Sequence, residues 1–369
     1  MAQSILAENK NSTDLNAAEN YTKIMEMSKK TKIYFGGFVI LVVLAIISYF
    51  YFVKNNYSYP AEYKINLVHI SDQDETAKYG KKVGGNCFLA TTAMLLKYFD
   101  PSIEFWKVFV YQGNAVSFDY YWSDGGATAN LADSSTDVLL TAASNLGFTP
   151  HVRTSAFGND GMGTWKDKTK KLNGDLKIYF LNPPIDEYKQ IISSGIPIGT
   201  SGSPCHNDYN AIEGYNEKEL FAVIPDPSDV NRTDSKISCP TGSGLTHTVF
   251  WFTPDGNKIS DKDLILKMKS TIKESLDIME RYIKNLKEGA NVAEFSQNIY
   301  LGREFASMYF QEQGYAELAA GYKKSTELLL PIASIYPPDI NNHKDEIISQ
   351  MEKVLNNEND LVRYWEAVD

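Results

Sequence analysis

Between Lys32 and Lys54 the chain carries no charged residue, and Ile33 to Val53 is an almost wholly apolar run. As a helix rising about 1.5 Å per residue, such a run spans roughly 30 Å, the thickness of a bilayer's hydrocarbon. Tyr34, Tyr49 and Tyr51 stand near its ends, where aromatic rings meet lipid headgroups. Lys29, Lys30 and Lys32 precede the run and only Lys54 closely follows it, a bias that keeps the N-terminal side in the cytoplasm. The run is longer than a signal-peptide core, and the Tyr51-Phe52-Val53-Lys54-Asn55-Asn56 that ends it offers no small-residue cleavage site. The expectation is a single-pass membrane protein: a cytoplasmic tail over 1–32, a transmembrane helix over 33–53 with the lipid bilayer as its partner, and the bulk of the chain extracytoplasmic. Removing residues 1–54 should then move the protein from the membrane fraction to the supernatant, whereas the full chain should resist carbonate extraction. Release of the full chain by carbonate would contradict the span.

The remainder is too long for one small core, with 369 residues in all, 43% of them hydrophobic and 12% aromatic. A net charge of -10 and a pI near 5.1 argue against a nucleic-acid partner. Residues 54–64, with Asn55, Asn56, Ser58 and Pro60, read as a linker. From about 65 to 257, short strand-like and helix-like stretches alternate with dense Gly, Pro, Asn and Asp punctuation, the texture of an α+β domain. Helices are expected over Cys87–Tyr98, with Asn86 as cap, over Ser135–Leu146, closed by Gly147, and over Ile185–Ser194. Strands are expected over Phe148–Val152, Ile196–Ile198, Tyr209–Tyr215 and Leu220–Ile224, the last two joined by the polar turn 216–219. Beyond Ser260, Ile265, Met268, Ile272, Leu276, Met279, Ile283 and Leu286 recur at helical spacing. Asn291–Gln313, Tyr315–Leu330 and His343–Val368 continue the pattern, so 258–369 reads as a helical C-terminal domain.

The cysteines are Cys87, Cys205 and Cys239. Outside the membrane thiols tend to pair, and Cys205 and Cys239 sit in loop-like, Pro- and Gly-flanked sequence, which favours a bridge between them that leaves Cys87 free; three reduced thiols or an intermolecular bond are the alternative. Cys87 opens a helix, where unpaired backbone N–H groups and the positive end of the dipole favour thiolate, a form able to attack a carbonyl.

The stretch from Gly85-Asn86-Cys87-Phe88 to Tyr98-Phe99 resembles the nucleophile helix of papain-like cysteine peptidases, in particular the bacteriocin-processing, double-glycine-leader branch. Asn145-Leu146-Gly147-Phe148, Ser194-Gly195-Ile196-Pro197-Ile198-Gly199, Glu213-Gly214-Tyr215 and Pro225-Asp226-Pro227 follow in the family's order, so the resemblance covers about residues 64–255. It implies a papain-like fold, a peptide or protein substrate, acyl transfer through a cysteine thioester, and no metal or organic cofactor. Asp226 matches the aspartate that orients the catalytic imidazole. For that imidazole the usual count back from Gly214 lands on Asp208, with His206 two residues earlier, and a β-bulge in Asp208-Tyr209-Asn210 would bring His206 into reach. Aspartate is a poor substitute, since its low pKa and negative charge both oppose thiolate formation. His247, after Asp226, is the second candidate and departs from the family order. The family's oxyanion donor is a Gln at a spacing that here falls near Lys81; Gln73 takes the role if the intervening residues loop out.

Phe118-Asp119-Tyr120-Tyr121-Trp122 reads either as a substrate groove or as core. Asp226, Asp229 and Asp234 lack the ligand spacing of a calcium loop, and the chain carries no zinc-ligand spacing, P-loop or dinucleotide fingerprint. Two function classes are therefore expected: an extracytoplasmic thiol hydrolase with Cys87, His206, Asp226 and Gln73 at its site, or the same fold with a degenerate site, serving as a cell-surface binding module.

Overall fold

The structure, a computed structural model, describes residues 34, 37–45, 57–70, 87–123, 125–131, 137–155, 169, 171–179, 184–201, 209–225, 236–240, 248–333, 335 and 337–368. Tyr59–Asp369 forms one compact unit, and the chain up to Ser58 another. In the N-terminal unit, residues 37–45 are helical and Phe38, Ile40, Leu41 and Leu44 are exposed. Among the described residues no helix is long and apolar enough to cross a membrane. Of the expected span 33–53, only Tyr34 and 37–45 belong to the described residues.

The large unit is mixed α+β, as expected. Its first half holds β1 (Tyr63–Lys64), α1 (Cys87–Phe99), α2 (Phe105–Val110), β2 (Asp119–Ser123), β3 (Gly126–Asn130), α3 (Asp137–Asn145), β4 (Phe148–Ser155) and β5 (Asp175–Tyr179). It continues with α4 (Ile185–Ser193), β6 (Ile198–Ser201), β7 (Asn210–Tyr215), β8 (Glu219–Val223), β9 (Lys236–Pro240) and β10 (Thr248–Pro254). The C-terminal part comprises α5 (Asp261–Lys287), β11 (Val292–Phe295), α6 (Gln297–Glu312), α7 (Ala316–Ala333), a 3-10 turn over Pro337–His343, and α8 (Lys344–Glu366).

Among the described residues the strands form an eight-stranded sheet in the order β5-β4-β10-β6-β7-β8-β9, with β1 added to β7, and a three-stranded sheet in the order β11-β3-β2. The large sheet is antiparallel except where β4 meets β5. Every residue of α1 from Phe88 to Leu96 is buried, the signature of a helix enclosed on all sides rather than laid on a surface. Gly147, at φ +91°, supplies the left-handed residue between α3 and β4 that its sequence position predicts.

The stripe predicted for α5 is the buried one: Ile265, Met268, Ile272, Leu276, Met279, Ile283 and Leu286 all face inward. Ser260 caps the helix by accepting the Asp263 amide at 3.1 Å. One expectation needs correction. Asn291–Gln313 is not helical throughout, because Val292–Phe295 is a strand that pairs in parallel with β3, and the helix starts only at Gln297 behind the Ser296 cap. Its backbone is claimed by the sheet from both flanks, with Ala127 N donating to Asn291 O and Ser296 N to Ala129 O. Tertiary pairing here overrides helical propensity. Residue 257 thus marks a change in secondary structure within one compact body, since a strand from beyond it completes the small sheet.

Arg303 of α6 joins these parts. Fully buried, it donates through Nε and Nη2 to the two carboxylate oxygens of Glu358 on α8, at 2.9 and 3.0 Å, and through Nη1 to Ser117 O at 2.6 Å. The planar fork suits this geometry, which satisfies both charges within the core. Glu358→Ala leaves the guanidinium buried without its carboxylate and should cost about 3–5 kcal/mol of unfolding free energy. The double replacement Arg303→Met with Glu358→Leu should recover most of that loss in a denaturant titration. Equal destabilisation of both variants would contradict this account.

Candidate active site

The register of the large sheet fixes which face α1 covers. Phe250 of β10 is paired with Gly199 of β6, and Gly199 with Ala211 of β7, so these residues share one face. Phe88, the second residue of α1, packs its ring against Phe250 at 5.1 Å and against Tyr209 at 4.3 Å. Tyr209 stands two residues before Ala211, on the same face. Small residues make the approach possible: a Cβ at Gly199 would collide with the Phe250 ring. The N-terminus of α1 therefore lies against the end of the sheet where β7 and β10 begin.

That end is where the candidate segments join. Ser201, the last residue of β6, is paired with Thr248, the first of β10. Asn210, the first of β7, is paired with Thr200; Val223, the last of β8, is paired with Ala211 and with Lys236, the first of β9. Ser201, Asn210, Val223, Lys236 and Thr248 thus mark the end of the sheet against which Phe88 packs, whereas Pro240, the last residue of β9, is paired with Glu219 at the opposite end. His206, Asp208, Asp226 and His247 lie outside the described residues, as does Gln73. Of Cys87 the backbone is described as the first residue of α1, and Cys239 stands in β9 opposite Leu220; Cys205 lies outside the described residues.

A bulge does interrupt β7, but at Glu213, where the pairing with β8 shifts between Ile212 and Gly214. Counting back from Gly214 across that extra residue lands on Asn207 instead of Asp208. The described helix-facing residues at the start of β7 are Tyr209 and Ala211. The buried Glu213 also receives the entry segment: its carbonyl accepts the Ile65 amide at 2.6 Å, and its carboxylate lies 3.5 Å from Lys64 Nζ and from the Leu67 amide.

Sequence reasoning assigned no role to His69, which this entry segment carries to the same end of the sheet. Its Nε2 is 3.1 Å from the carbonyl oxygen of Ile224, the residue after β8 and two before Asp226. A carbonyl only accepts, so Nε2 carries the proton and, in the neutral ring, Nδ1 is the acceptor. The ring is half-buried. The signal available beforehand was slight, namely a histidine within an apolar segment ahead of the nucleophile helix.

No protein-family model matches the chain, and no curated protein matches it.

The opposite face of the sheet holds a different polar group. His151 stacks on Trp251 at 5.1 Å, and Arg153 sits over the same indole while binding Glu187 at 2.8 Å and Asp175 at 2.6 Å. Tyr179 donates to the second oxygen of Glu187. Burial and the neighbouring Arg153 hold His151 below the ordinary histidine range, with Asp175 opposing them in part. Lys177, 3.9 Å from Glu187, balances the second carboxylate, and the group ties α4 to the sheet through structural bonds. The aromatic stretch divides: Phe118 is buried against Tyr282, whereas Tyr121 and Trp122 of the edge strand β2 are 55% and 60% exposed. Among the described residues no group of three or more His, Cys, Asp or Glu side chains is gathered closely enough to hold a metal ion. A groove of about 580 Å³ between α5 and α8 is lined mainly by charged groups, including Arg281, Lys284, Lys287 and Glu352, with no cysteine, histidine or hydroxyl side chain.

Proposed function

We propose that the chain is a membrane-anchored, extracytoplasmic thiol hydrolase of papain-like architecture, a peptidase whose nucleophile is Cys87. One observation carries the reading: the helix that Cys87 opens packs its first turn, through Phe88, against the sheet end formed by Ser201, Asn210, Val223 and Thr248, the described residues that flank the sequence positions of His206, Asp226 and His247. A thiol there gains from the helix's positive end, and an imidazole from the flanked segments takes its proton. The thiolate attacks a peptide carbonyl, the imidazolium protonates the departing amine, and water then hydrolyses the thioester. Asp226 orients the imidazole, and Gln73 donates to the oxyanion. The exposed apolar helix over 37–45 supports an anchor over 33–53, because lipid is the solvent such a surface requires.

A second reading rests on spacing. The usual count back from Gly214 lands on Asp208, or on Asn207 once the bulge at Glu213 is allowed for, and neither is a histidine, which favours a binding module that keeps the fold without the chemistry.

The two readings separate with the full chain in detergent and a library of unstructured peptides. The hydrolase reading expects cleavage products, together with a peptide-sized mass adduct on the Cys87-containing fragment after acid quenching, both absent from Cys87→Ala. Saturable peptide binding that is equal in wild type and Cys87→Ala, without cleavage or adduct, would establish the binding module instead.

A further inference from the structure

We propose that two copies of this chain pair through β2, strand against strand, to form a dimer. Among the described residues β2 is the outer strand of the small sheet, bonded to β3 on one side only. The direction of its main-chain groups follows from β3. Ala127 N donates to Asn291 O and Ala129 O accepts from Ser296 N, so residues 127 and 129 bond away from β2. Residues 126, 128 and 130 therefore bond toward it, and their partners Ser123, Tyr121 and Asp119 bond inward. The N–H and C=O of Tyr120 and Trp122 are thus aimed outward from the sheet. Tyr120 N donates to the adjacent Asp119 Oδ1 at 2.7 Å, the acceptor nearest to hand. The far edge of the same sheet is guarded: Val292 N donates to Asn341 Oδ1 at 2.8 Å, and a bulge follows between Val292 and Glu294. β2 has no lysine, proline or bulge, and its single charge, Asp119, stands at one end.

The sequence of β2 is complementary to itself. Edge strands related by a two-fold axis run antiparallel, and only the register centred on Tyr121 pairs every residue of β2. In it Tyr120 lies opposite the second copy's Trp122, and Trp122 opposite the second copy's Tyr120. These are the residues with outward groups, so each pair exchanges N–H···O=C bonds in both directions. Asp119 lies opposite Ser123, and no like charges meet. The remaining contacts are aromatic on aromatic: Tyr121, 55% exposed, meets its own copy, and Trp122, 60% exposed, meets Tyr120. The receiving ring is already ordered, since Tyr120 packs on Tyr282 at 5.4 Å, accepts from Asn285 Nδ2 at 2.7 Å through its hydroxyl, and holds Trp122 edge-on at 6.1 Å. Pairing removes this aromatic surface from water while ordering few side chains anew.

The test uses the full-length protein in detergent, with the mass of its protein part read by light scattering. Wild type should approach twice 41.4 kDa as its concentration rises toward about 100 µM. Tyr121→Lys sets like charges directly opposite each other, and should raise the dissociation constant by about tenfold or more while keeping the wild-type circular dichroism spectrum. In Tyr121→Cys the paired Cα atoms lie about 4.5 Å apart, within disulfide reach, so mild oxidation should yield a covalent dimer on a non-reducing gel. Ser123→Cys, whose two copies lie about 13 Å or more apart in this register, should give no more dimer than the unsubstituted chain, which sets the background from Cys87, Cys205 and Cys239. A dimer that Tyr121→Lys leaves intact would overturn the proposal and place the contact elsewhere. Crosslinking of Tyr121→Cys no greater than that of Ser123→Cys would overturn it as well. So would a wild type that stays monomeric at about 100 µM, a result that leaves the edge to an extended segment of another protein.

Discussion

The contact of Phe88 with Phe250 and Tyr209 across a floor of Gly199 and Ala211 decides where the first turn of α1 lies. A larger residue at 199 would displace the Phe250 ring, lift the helix from the sheet and move its positive end away from the strands that terminate there. Each well-buried apolar side chain of α1 contributes about 1.5–3 kcal/mol, so a helix buried from Phe88 to Leu96 is held firmly in place. Rigid seating matters for a nucleophile, whose reactivity falls steeply when it is misplaced by an ångström.

The C-terminal helices belong to the same body. Arg303 reaches from α6 to Glu358 and to the backbone at Ser117, while β11 completes the sheet begun by β2 and β3. Asp261, at the start of α5, accepts hydrogen bonds from Tyr111 and Tyr309, joining that helix to both halves. A polar network of this kind costs desolvation energy on every charge it buries, and it repays that cost only when each partner is present. It therefore specifies a single docking of the helices on the α+β core.

Local signals in the sequence carried much of this fold. The helix from Cys87, the left-handed Gly147, the β7–β8 hairpin and the seven-membered apolar stripe of α5 were all readable from spacing and capping, because short-range chemistry sets them. Val292–Phe295 was not, since its strand character comes from β3, some 165 residues earlier in the chain, as its partner. Nor was the position of the bulge legible: Glu213 lies in a strand whose composition is ordinary, and only pairing with β8 reveals the extra residue. The hydrogen bond of His69 escaped for a similar reason, because its partner, the Ile224 carbonyl, is reached only through the fold. The start of a helix at Cys87 was legible, since a helix start is a local property.

The account turns on whether Cys87 is ionised at neutral pH by its surroundings. Thiolate absorbance near 240 nm, titrated in the full-length protein and taken as the difference between wild type and Cys87→Ala, measures this directly. A step in that difference below pH 7 is the predicted result; a step at about 8.5, where an unperturbed thiol ionises, would contradict it.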